Sequence, residues 1–515
     1  MIPVLSPEQS KAWDQRAAAA GIDVARLMET AGRAVAAVVA DRYAYRLRAG
    51  VLIATGPGNN GGDGWVVARA LHRLDVPVWV TGPVGSGGEL RETMAGLARS
   101  EGVREVAPDG PWPTVGLGID ALLGTGASGP PRPPIAALLE RLVDLEVPLV
   151  AIDGPTGVDL LSGIVHGAPR ADVSITFGGL RRGHVLARDE VGLLVVVDIG
   201  HPPADSSWPS LVTDAQASGW LRRLHGRDHK GNRGRVVIVG GDAGMTGAVR
   251  MAGRSAFAAG AGLVHAVAPQ DTVSALVRAE PDLQTLVQPF DREPSPALIE
   301  LLERADAVVI GPGLGRAEGR RALVTAVVQR ARTAILDADA LIAFQDSAAE
   351  LAALARDRPL VLTPHPGEFR ALFPALASTR ELDPWAAASE AARESGATVL
   401  LKGVPSVVAR AGAAPLTVAA GNPGLATGGS GDVLSGLVGT ALAQDLVPEL
   451  AAALAAQVLG RAADLAARRT TARALRPMDV VSAFPDLWRE WELLQLTPPL
   501  TRPPVLLELP RPQTV

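Results

Sequence analysis

The sequence predicts an α/β protein of two domains, each built on a largely parallel sheet with helices on both faces. Short apolar runs, such as Val51–Ala54 and Leu149–Ile152, alternate with amphipathic stretches such as Glu89–Arg99. Strands that alternate with helices form βαβ units and a parallel sheet. The 515 residues exceed what one hydrophobic core usually serves, and the alternation restarts after a Pro-rich break at His201–Pro209. We therefore expect one sheet in each half.

The first half begins with the capping-box pattern Ser6-Pro7-Glu8-Gln9, which predicts a helix with proline at its first position. Its predicted strands are Val51–Ala54, Val76–Val80, Val115–Ile119, Leu149–Ile152, Val173–Thr176 and Leu193–Asp198. Amphipathic spacing predicts helices over Trp65–Leu74 and Glu89–Arg99. These elements make up the first parallel sheet and its covering helices.

The second half repeats the same class of pattern. Its predicted strands are Arg235–Val239, Leu263–Val267, Ala307–Ile310, Ala334–Leu336, Leu360–Leu362, Thr398–Leu401 and Ser406–Ala409. A helix is predicted over Val433–Ala443, and the residues after Leu493 are Pro-rich and predicted to be extended. We expect domains at residues 1–213 and 214–492, followed by a tail at 493–515.

Composition narrows the class of protein. The net charge of −5 gives no sign of binding to nucleic acid or a membrane surface, and the absence of cysteine removes disulfides and thiolate chemistry. The start of the chain lacks the basic and apolar regions of a signal peptide, and apolar runs end before the ~18 residues of a membrane span. We expect a soluble cytoplasmic protein.

A glycine-rich stretch, Gly56–Gly64, follows the first strong strand of the first half. It holds five glycines in nine residues. So many glycines are entropically unfavourable unless the backbone must approach something closely, and at a strand-to-helix turn that is often a phosphate. The alternative is a tight turn between strand and helix, which needs fewer glycines.

Two further loops follow strands of the same half. Asp120 precedes a G-x-G-x-x-G pattern at Gly124–Gly129, which is not a Rossmann fingerprint because prolines follow where the helix should continue. Asp153 ends the next strand, and Asn60 and Thr156 add neutral oxygens. Each Asp by itself is a common turn or cap residue. Three such loops at one sheet edge predict a site that holds a hard cation or performs acid–base chemistry.

These motifs, in this order, resemble the NAD(P)H-hydrate epimerase domain from about Leu5 to Asp198. They are Leu27-Met28-Glu29-Thr30-Ala31-Gly32, Asn59-Asn60-Gly61-Gly62-Asp63-Gly64, Asp120-Ala121-Leu122-Leu123-Gly124-Thr125-Gly126 and Asp153-Gly154-Pro155-Thr156-Gly157. The family's common Ser is Thr156 here, and Gly154 replaces a usual apolar residue. The resemblance implies a three-layer, Rossmann-like fold.

The resemblance also implies the site residues. Those implied to bind the substrate are Asn59, Asn60, Gly61, Gly62, Asp63, Gly124, Thr125, Gly126, Ala127, Ser128, Gly129, Pro130 and Asp153. Asn60, Asp120 and Thr156 are implied to contact a potassium ion, K⁺. Asp153 is implied to be catalytic and to lie near the nicotinamide.

The run Gly428-Gly429-Ser430-Gly431-Asp432 dominates the second half. It precedes a predicted helix, whose N-terminus attracts anions, so Asp432 is better suited to act as a base on a hydroxyl than to bind phosphate. The alternative is an Asp N-cap. Lys402 can neutralise a phosphate or be a solvated surface lysine, and His365 can contact a ligand or be a structural loop residue. A Walker A pattern is absent from the sequence.

These motifs, with Thr363-Pro364-His365-Pro366-Gly367-Glu368, resemble an ADP- or ATP-dependent NAD(P)H-hydrate dehydratase with a ribokinase-like fold, over about His225 to Pro485. The residues implied to line the hydrate site are Gly313, Gly315, His365 and Asp432. Those implied to bind the nucleotide, with Mg²⁺, are Lys402, Gly403, Val404, Pro405, Ser406 and Gly431.

Together the halves predict repair of hydrated nicotinamide cofactors, NADHX and NADPHX. The hydrate carries a hydroxyl on C6 of the ring; the dehydratase is expected to remove it from the S epimer, which the epimerase supplies from R. The alternative is a vitamin or sugar kinase of ribokinase-like fold joined to a non-catalytic nucleotide-binding module. The sequence leaves open ADP versus ATP and NADHX versus NADPHX. We expect a homo-oligomer.

Overall fold

The computed structural model describes residues 1–83, 85, 87–497 and 503–512, and it divides into two compact units. The first unit comprises Met1–Trp208 and a strand near the C-terminus, and the second begins at Pro209. The break between them falls within the Pro-rich segment singled out from the sequence.

The first unit consists of alternating strands and helices. Its elements up to Trp208 are β1 (Ile2–Leu5), α1 (Pro7–Ala19), α2 (Val24–Tyr43), β2 (Val51–Thr55), α3 (Asn59–His72), β3 (Val78–Thr81), α4 (Glu89–Ser100), β4 (Arg104–Glu105), β5 (Leu117–Ala121), α5 (Pro133–Val143), β6 (Leu149–Ile152), β7 (Val173–Phe177), β8 (Leu180–Arg181), α6 (Arg182–Leu186) and β9 (Leu193–Val197), with a 3₁₀ turn at Arg46–Ala49.

The second unit continues the alternation. Its elements are β10 (Ser210–Leu211), α7 (Asp214–Trp220), β11 (Arg235–Val239), α8 (Thr246–Ala258), β12 (Leu263–Ala268), α9 (Gln270–Ala279), β13 (Gln284–Val287), α10 (Pro296–Glu303), β14 (Ala307–Ile310), α11 (Arg320–Val328), β15 (Ala334–Leu336), α12 (Asp339–Ile342), α13 (Ala348–Ala355), β16 (Leu360–Leu362), α14 (Pro366–Leu372), α15 (Ala377–Leu382), α16 (Pro384–Ser395), β17 (Thr398–Leu401), β18 (Ser406–Ala409), β19 (Leu416–Val418), α17 (Ser430–Ala443), α18 (Pro448–Arg469), α19 (Pro477–Ser482) and α20 (Phe484–Leu496). Short 3₁₀ turns lie at Pro374–Leu376, Pro423–Leu425 and Ala472–Ala474. The last strand, β20 (Val505–Leu509), belongs to the first unit.

The main sheet of the first unit has the order β20-β9-β7-β6-β5-β2-β3-β4 and is parallel except for β20. Strands β2, β5, β6 and β7 are buried along their whole length. One face, with Ile53, packs on α2, α3 and α4; the other, with Leu52, packs on α5. The predicted three-layer α/β arrangement is therefore confirmed, because a parallel sheet needs both faces covered.

The C-terminal strand β20 runs antiparallel to β9 and completes one edge of this sheet. Val505 packs against the core of the unit, and Glu508 forms an ion pair with Arg42 at 2.6 Å. The Pro-rich segment therefore ends in a strand rather than in a free extended tail. Residues 498–502 and 513–515 of the predicted tail lie outside the described residues.

The second unit has a sheet of order β13-β12-β11-β14-β15-β16-β17-β18-β19-β10. Its strands are parallel from β13 to β17, whereas β17, β18 and β19 are antiparallel neighbours. Helices α8, α17 and α18 contribute to one large core against this sheet. The arrangement agrees with the predicted second α/β domain.

Among the described helices, α18 passes a test of length and composition for crossing a membrane. However, 78% of its apolar window is buried within the structure. Core helices of soluble proteins pass the same test, so the finding is weak evidence for a span.

Most predicted strands are confirmed to within two residues, but two helices begin earlier than predicted. Helix α3 begins at Asn59 rather than Trp65, and α17 begins at Ser430 rather than Val433. The short strands β1, β4, β8, β10, β13 and β19 were not predicted. Both early helix starts contain glycines, which are poor helix formers, and close packing overrides that propensity.

Gly61, in the first turn of α3, and Gly56, in the turn before the helix, show the reason. A Cβ on Gly61 would lie 2.0 Å from the carbonyl oxygen of Gly56, and a Cβ on Gly56 would lie 1.8 Å from the carbonyl oxygen of Leu122. These positions therefore need glycine to bring the helix and two strand ends together. Close backbone packing therefore accounts for Gly56 and Gly61 without a ligand. For these two positions the structure supports a tight turn between strand and helix.

Gly61→Ala is expected to lower the unfolding free energy of the first unit by about 1–3 kcal/mol, because overpacking against a backbone carbonyl forces α3 to shift. The matched control is Gly58→Ala, where a Cβ meets nothing within 4 Å. Because Gly58 is the N-cap of α3, where Gly is preferred to Ala, that variant should lower the unfolding free energy by only about 0.5–1 kcal/mol. Calorimetric unfolding checks both; equal losses would contradict the packing explanation.

Candidate active sites

In the first unit, the three predicted loops meet at the carboxyl edge of the sheet. Strands β7, β6, β5 and β2 are consecutive neighbours, so their carboxyl ends lie side by side. Asp120 is fully buried and accepts hydrogen bonds from the Thr156 backbone N–H (2.8 Å), the Thr156 hydroxyl (2.7 Å) and the Leu122 N–H (3.1 Å). Burial raises the pKa of the Asp120 carboxyl, although the bonds from Thr156 oppose the shift.

Asn60 lies beside these groups on the first turn of α3. Both polar atoms of its amide are buried without a hydrogen-bond partner in the protein. A Cβ on Gly124 would lie 3.3 Å from the Asn60 Oδ1 and 2.9 Å from the Asp153 Oδ2. Asn60, Gly124 and Asp153 therefore surround one small space.

Asp153 is the most constrained residue of this site. Its backbone has a φ of 65°, unusual for a residue other than glycine. Its Oδ2 accepts from the N–H (2.8 Å) and the hydroxyl of Thr125, and its Oδ1 accepts from the Thr176 hydroxyl at 3.1 Å. Burial acts to raise the pKa of this carboxyl, but the Arg181 charge and the Thr125 bonds hold it below its usual value. Asp153 is therefore ionised.

Arg181 is a site residue that sequence reasoning missed. It is 5% exposed, its guanidinium lies 3.6 Å from the Asp153 Oδ1, and its Nε donates to the Thr125 hydroxyl at 3.0 Å. No local pattern marked it in the sequence, because Arg181 lies four residues beyond the strand Val173–Phe177, at the end of the two-residue strand β8. It supplies the positive charge that a buried carboxylate requires.

His184 is a second missed residue, and it explains Gly154. Its Nδ1 accepts from the Arg181 N–H at 3.0 Å, so its Nε2 carries the proton that bonds the Asp153 carbonyl oxygen at 2.6 Å. A Cβ on Gly154 would lie 3.1 Å from that Nε2 and 2.9 Å from Leu160. Glycine at position 154 thus makes room for the imidazole that holds the backbone of Asp153.

Asp63, in the Asn-Asn-Gly-Gly-Asp-Gly motif, is buried on α3. Burial, and then the charges of Asp153 and Asp14, raise the pKa of its carboxyl well above the usual value. Burial thus disfavours ionisation of Asp63, whereas the Arg181 charge favours it at Asp153.

The remaining predicted residues fall into two groups. Gly61 and Gly62 are buried in α3, and Asn59 begins that helix. Gly124 and Thr125 adjoin Asp153, whereas the rest of their loop is exposed or half-buried: Gly126, Ala127, Ser128, Gly129 and Pro130. The structure therefore brings the strand ends together and leaves that loop facing solvent.

In the second unit, a charge cluster lies at the carboxyl ends of β15, β16 and β17. Asp337 directly follows β15 and is 2% exposed. It accepts hydrogen bonds from the Lys402 Nζ at 3.0 Å and from the Ser435 hydroxyl at 2.6 Å. Lys402 also lies 3.6 Å from the Glu368 Oε2. Glu368 belongs to the Thr363–Glu368 motif, but neither its role nor that of Asp337 as a partner of Lys402 was predicted from the sequence.

Lys402 is therefore neither a solvated surface lysine nor an isolated cation. Burial opposes its charge, but Asp337 and Glu368 hold its pKa above the usual value. Its predicted neighbours Gly403 and Val404 are exposed, Pro405 is buried, and the Ser406 hydroxyl bonds the Gly403 carbonyl at 3.2 Å. Nucleotide binding by this loop stays a prediction.

Asp432 is the third residue of α17, not a loop residue before it, because the helix already begins at Ser430. Gly429 precedes it with a φ of 99°, a conformation suited to glycine. A Cβ on Gly431 would lie 3.5 Å from the Lys402 Nζ, so this helix start adjoins the charge cluster. Burial, and then the Asp337 charge, raise the pKa of Asp432 to about 7. Such a carboxyl can act as a base near neutral pH.

Three other predicted residues surround this edge. The Gly315 N–H donates to the Asp339 Oδ2 at 3.0 Å, and a Cβ on Gly313 would lie 2.8 Å from the Met245 Cβ. His365 caps the N-terminus of α14. Its ring Nδ1 accepts a hydrogen bond from the Gly367 N–H at 2.9 Å, and its backbone N–H donates to the Glu368 carboxylate. The structural alternative for His365 therefore has direct support, and contact with substrate stays a prediction.

Comparison with known proteins assigns the two units. A sequence model described as YjeF-related protein N-terminus matches residues 24–183, and one described as NAD(P)H-hydrate dehydratase matches residues 236–486. The bifunctional NAD(P)H-hydrate repair enzyme Nnr of Escherichia coli is 36% identical over 90% of this chain and 89% of its own length. The chain belongs to this family of bifunctional NAD(P)H-hydrate repair enzymes.

Two further comparisons found similar proteins. The corresponding enzyme of Moorella thermoacetica is 35% identical over 90% of this chain and 92% of its own. Among solved structures, an ADP/ATP-dependent NAD(P)H-hydrate dehydratase from Bacillus subtilis, co-crystallised with ATP and Mg²⁺, is 25% identical. It covers 54% of this chain and 97% of its own, with a TM-score of 0.47.

His184 is expected to make the stability of the first unit depend on pH. Burial lowers its pKa to about 4, so the unfolded chain binds this proton near pH 6.5 and the folded unit does not. Stability should therefore rise from pH 4 to 6.5, by about 3 kcal/mol from this residue. His184→Gln should flatten that rise in calorimetric unfolding, and an unchanged rise would contradict the assignment.

Proposed function

We propose that this chain repairs hydrated NADH and NADPH. The first unit interconverts the R and S epimers at C6, and the second dehydrates the S epimer with ADP or ATP as co-substrate. One observation carries the proposal: each sheet edge holds a buried Asp countered by a basic side chain and by hydrogen bonds. Arg181 and Thr125 counter Asp153, and Lys402 and Ser435 counter Asp337. A second buried carboxyl of each site, Asp63 or Asp432, has a raised pKa because of burial and the neighbouring charge. The names of the relatives supply the substrate class.

The chemistry of the first unit follows from the hydrate itself. The C6 hydroxyl and the ring nitrogen N1 share one carbon, so the hydrate is a hemiaminal. Ionised Asp153 takes the hydroxyl proton, the C6–N1 bond breaks, and N1 takes a proton from Asp63 to leave an open-chain aldehyde. After rotation, N1 attacks the other face of the aldehyde carbon while both protons return. Two carboxyls with separated pKa values suit this exchange.

The polar groups around Asn60 fit a bound K⁺. The Asn60 amide oxygen has no partner in the protein, and the three hydrogen bonds to Asp120 leave its carboxylate further accepting capacity. Asn60, Asp120 and the Thr156 hydroxyl would hold the ion. When bound, it would supply a fixed positive charge beside the substrate's phosphates.

In the second unit, Asp432 takes the C6 hydroxyl proton and the oxygen attacks the terminal phosphate of the nucleotide. The bond from that phosphate to the rest of the nucleotide breaks, which releases AMP from ADP or ADP from ATP. The N–H groups at the start of α17 stabilise the charge that develops on that phosphate. Loss of phosphate from C6 and of a proton from C5 then restores the ring double bond. Mg²⁺ would enter with the nucleotide, since this ion is usually bound through substrate phosphates and one or two carboxylates.

Several finer assignments belong to the same proposal. We assign epimerisation to residues 1–213 and dehydration to 214–492. Residues 124–130 are assigned to the epimerase substrate, Gly313 and Gly315 to the hydrate, and Lys402–Ser406 to the nucleotide. A homo-oligomer in the cytoplasm is expected, with no nucleic acid or membrane partner.

The deciding experiment follows the reduced-nicotinamide absorbance of a mixture of NADHX epimers with protein, Mg²⁺, K⁺ and ADP or ATP. Full recovery is expected for the unmodified chain. With the Asp153→Asn variant, recovery should stop near the fraction of the mixture that is already the S epimer, because the first unit no longer converts R to S. Asp432→Ala should recover nothing above background.

Either of two results would contradict the proposal. Full recovery by Asp153→Asn would leave the first unit without a catalytic role. No recovery by the unmodified chain with either nucleotide would favour the kinase alternative, to be tested with small vitamin alcohols and sugars.

Ionisation of Asp432 is expected to raise the dehydratase activity and to lower the stability of the second unit. Because the ionised form acts as base, kcat/KM for dehydration should rise about tenfold per pH unit below 7 and level off above it. The raised pKa means that ionisation disfavours folding, so Asp432→Asn should stabilise the second unit at pH 8 by about 1–4 kcal/mol. Calorimetry and initial rates measure the two effects; a destabilised, active Asn variant would refute both.

A further inference from the structure

A cavity of about 460 Å³ lies in the first unit at the carboxyl ends of β3 and β4, apart from the residues assigned above. Its lining includes Trp65, Thr81, Arg91, Glu92, Arg99 and Glu105. Neither the sequence motifs nor the relatives assign it a role.

Three lining residues carry a buried polar atom without a hydrogen-bond partner in the protein: Trp65 Nε1, Thr81 Oγ1 and Arg91 Nε. The residues are 1%, 3% and 6% exposed. Two of the three atoms can only donate hydrogen bonds. Leaving buried donors unsatisfied is unfavourable, so their presence around one cavity indicates a ligand that carries acceptors.

The charges around the cavity cancel. The guanidiniums of Arg91 and Arg99 lie over the Trp65 ring, 5.6 Å and 5.1 Å from its centre. Glu92 accepts from the Gly87 N–H at 3.0 Å and pairs with Arg91, and Glu105 accepts from the Arg99 Nε at 2.7 Å. Both carboxylates already accept hydrogen bonds from the protein, whereas the unsatisfied donors have no acceptor. A neutral ligand with acceptor atoms would suit this arrangement.

The position of the cavity fits one end of a dinucleotide. Strands β6, β5, β2 and β3 are consecutive neighbours, so Asp153 at the end of β6 and the cavity at the end of β3 are three strand spacings apart, about 14 Å. Between them, the turn after β2 leads into Asn59 at the start of α3, where anions are favoured. A dinucleotide with its nicotinamide at Asp153 and its pyrophosphate at α3 would reach the cavity with its second nucleoside.

We propose that this cavity binds the adenosine group of the hydrated cofactor during epimerisation. The inference rests on the proposed epimerase function of the first unit. Adenosine is neutral, and its ring nitrogens and ribose hydroxyls provide the acceptors that Trp65, Thr81 and Arg91 lack.

The test compares two substrates in the absence of ADP and ATP, so that only epimerisation is measured. One is R-NADHX, and the other is the hydrate of reduced nicotinamide mononucleotide, which lacks adenosine. Thr81→Val removes one unsatisfied polar atom with little change of shape. Trp65→Phe removes another, together with one ring of a buried side chain. Each is expected to lower kcat/KM for NADHX about three- to tenfold, the loss of one hydrogen bond, and to leave kcat/KM for the mononucleotide unchanged.

Ser174→Ala is the matched control. Ser174 carries another buried hydroxyl without a partner, on β7 and outside the cavity lining. Its removal should change neither substrate's kcat/KM. Unchanged values for NADHX in both cavity variants, or equal losses for both substrates, would overturn the inference while leaving the epimerase in place. Absence of epimerisation by the unmodified chain would overturn the proposed function, and the inference with it.

Discussion

Both candidate active sites depend on how the negative charge of a buried carboxylate is countered. The carboxyl edge of a parallel sheet places such groups in low-dielectric surroundings, where an unpaired charge is very unfavourable. Asp153 is countered by Arg181 and three hydrogen bonds from hydroxyl and N–H groups, and Asp337 is countered by Lys402 and Ser435. The fully countered carboxylates stay ionised.

Each of these carboxylates has a neighbour that receives less compensation. Asp63 and Asp432 are buried near an already ionised Asp, and their pKa values rise in consequence. The two units thus use one electrostatic arrangement for different chemistry. In the first, the pair can exchange protons with both ends of a hemiaminal; in the second, the raised carboxyl can activate a hydroxyl towards phosphate.

Much of the fold could be predicted from the sequence, because buried parallel strands appear as short apolar runs bounded by glycine and polar residues. The position of the sites followed too, since the carboxyl ends of such strands meet at one edge. The partners of the catalytic groups could not be predicted. Arg181 and Glu368 meet Asp153 and Lys402 only through folding, and nothing local distinguishes them from surface charges. Similarly, the early start of α3 depends on how Gly61 packs against a distant turn.

Strand β20 has a consequence for how the protein is made. Its partner β9 ends at Val197, and β20 begins at Val505, so roughly 300 residues are translated between them. At about 5–20 residues per second, that interval lasts on the order of 15–60 s. Throughout it, the nascent first unit presents β9 as an open edge, able to pair with other chains on the same messenger. The nascent chain is therefore an aggregation-prone intermediate during that interval, when chaperones that shield exposed strands would matter most.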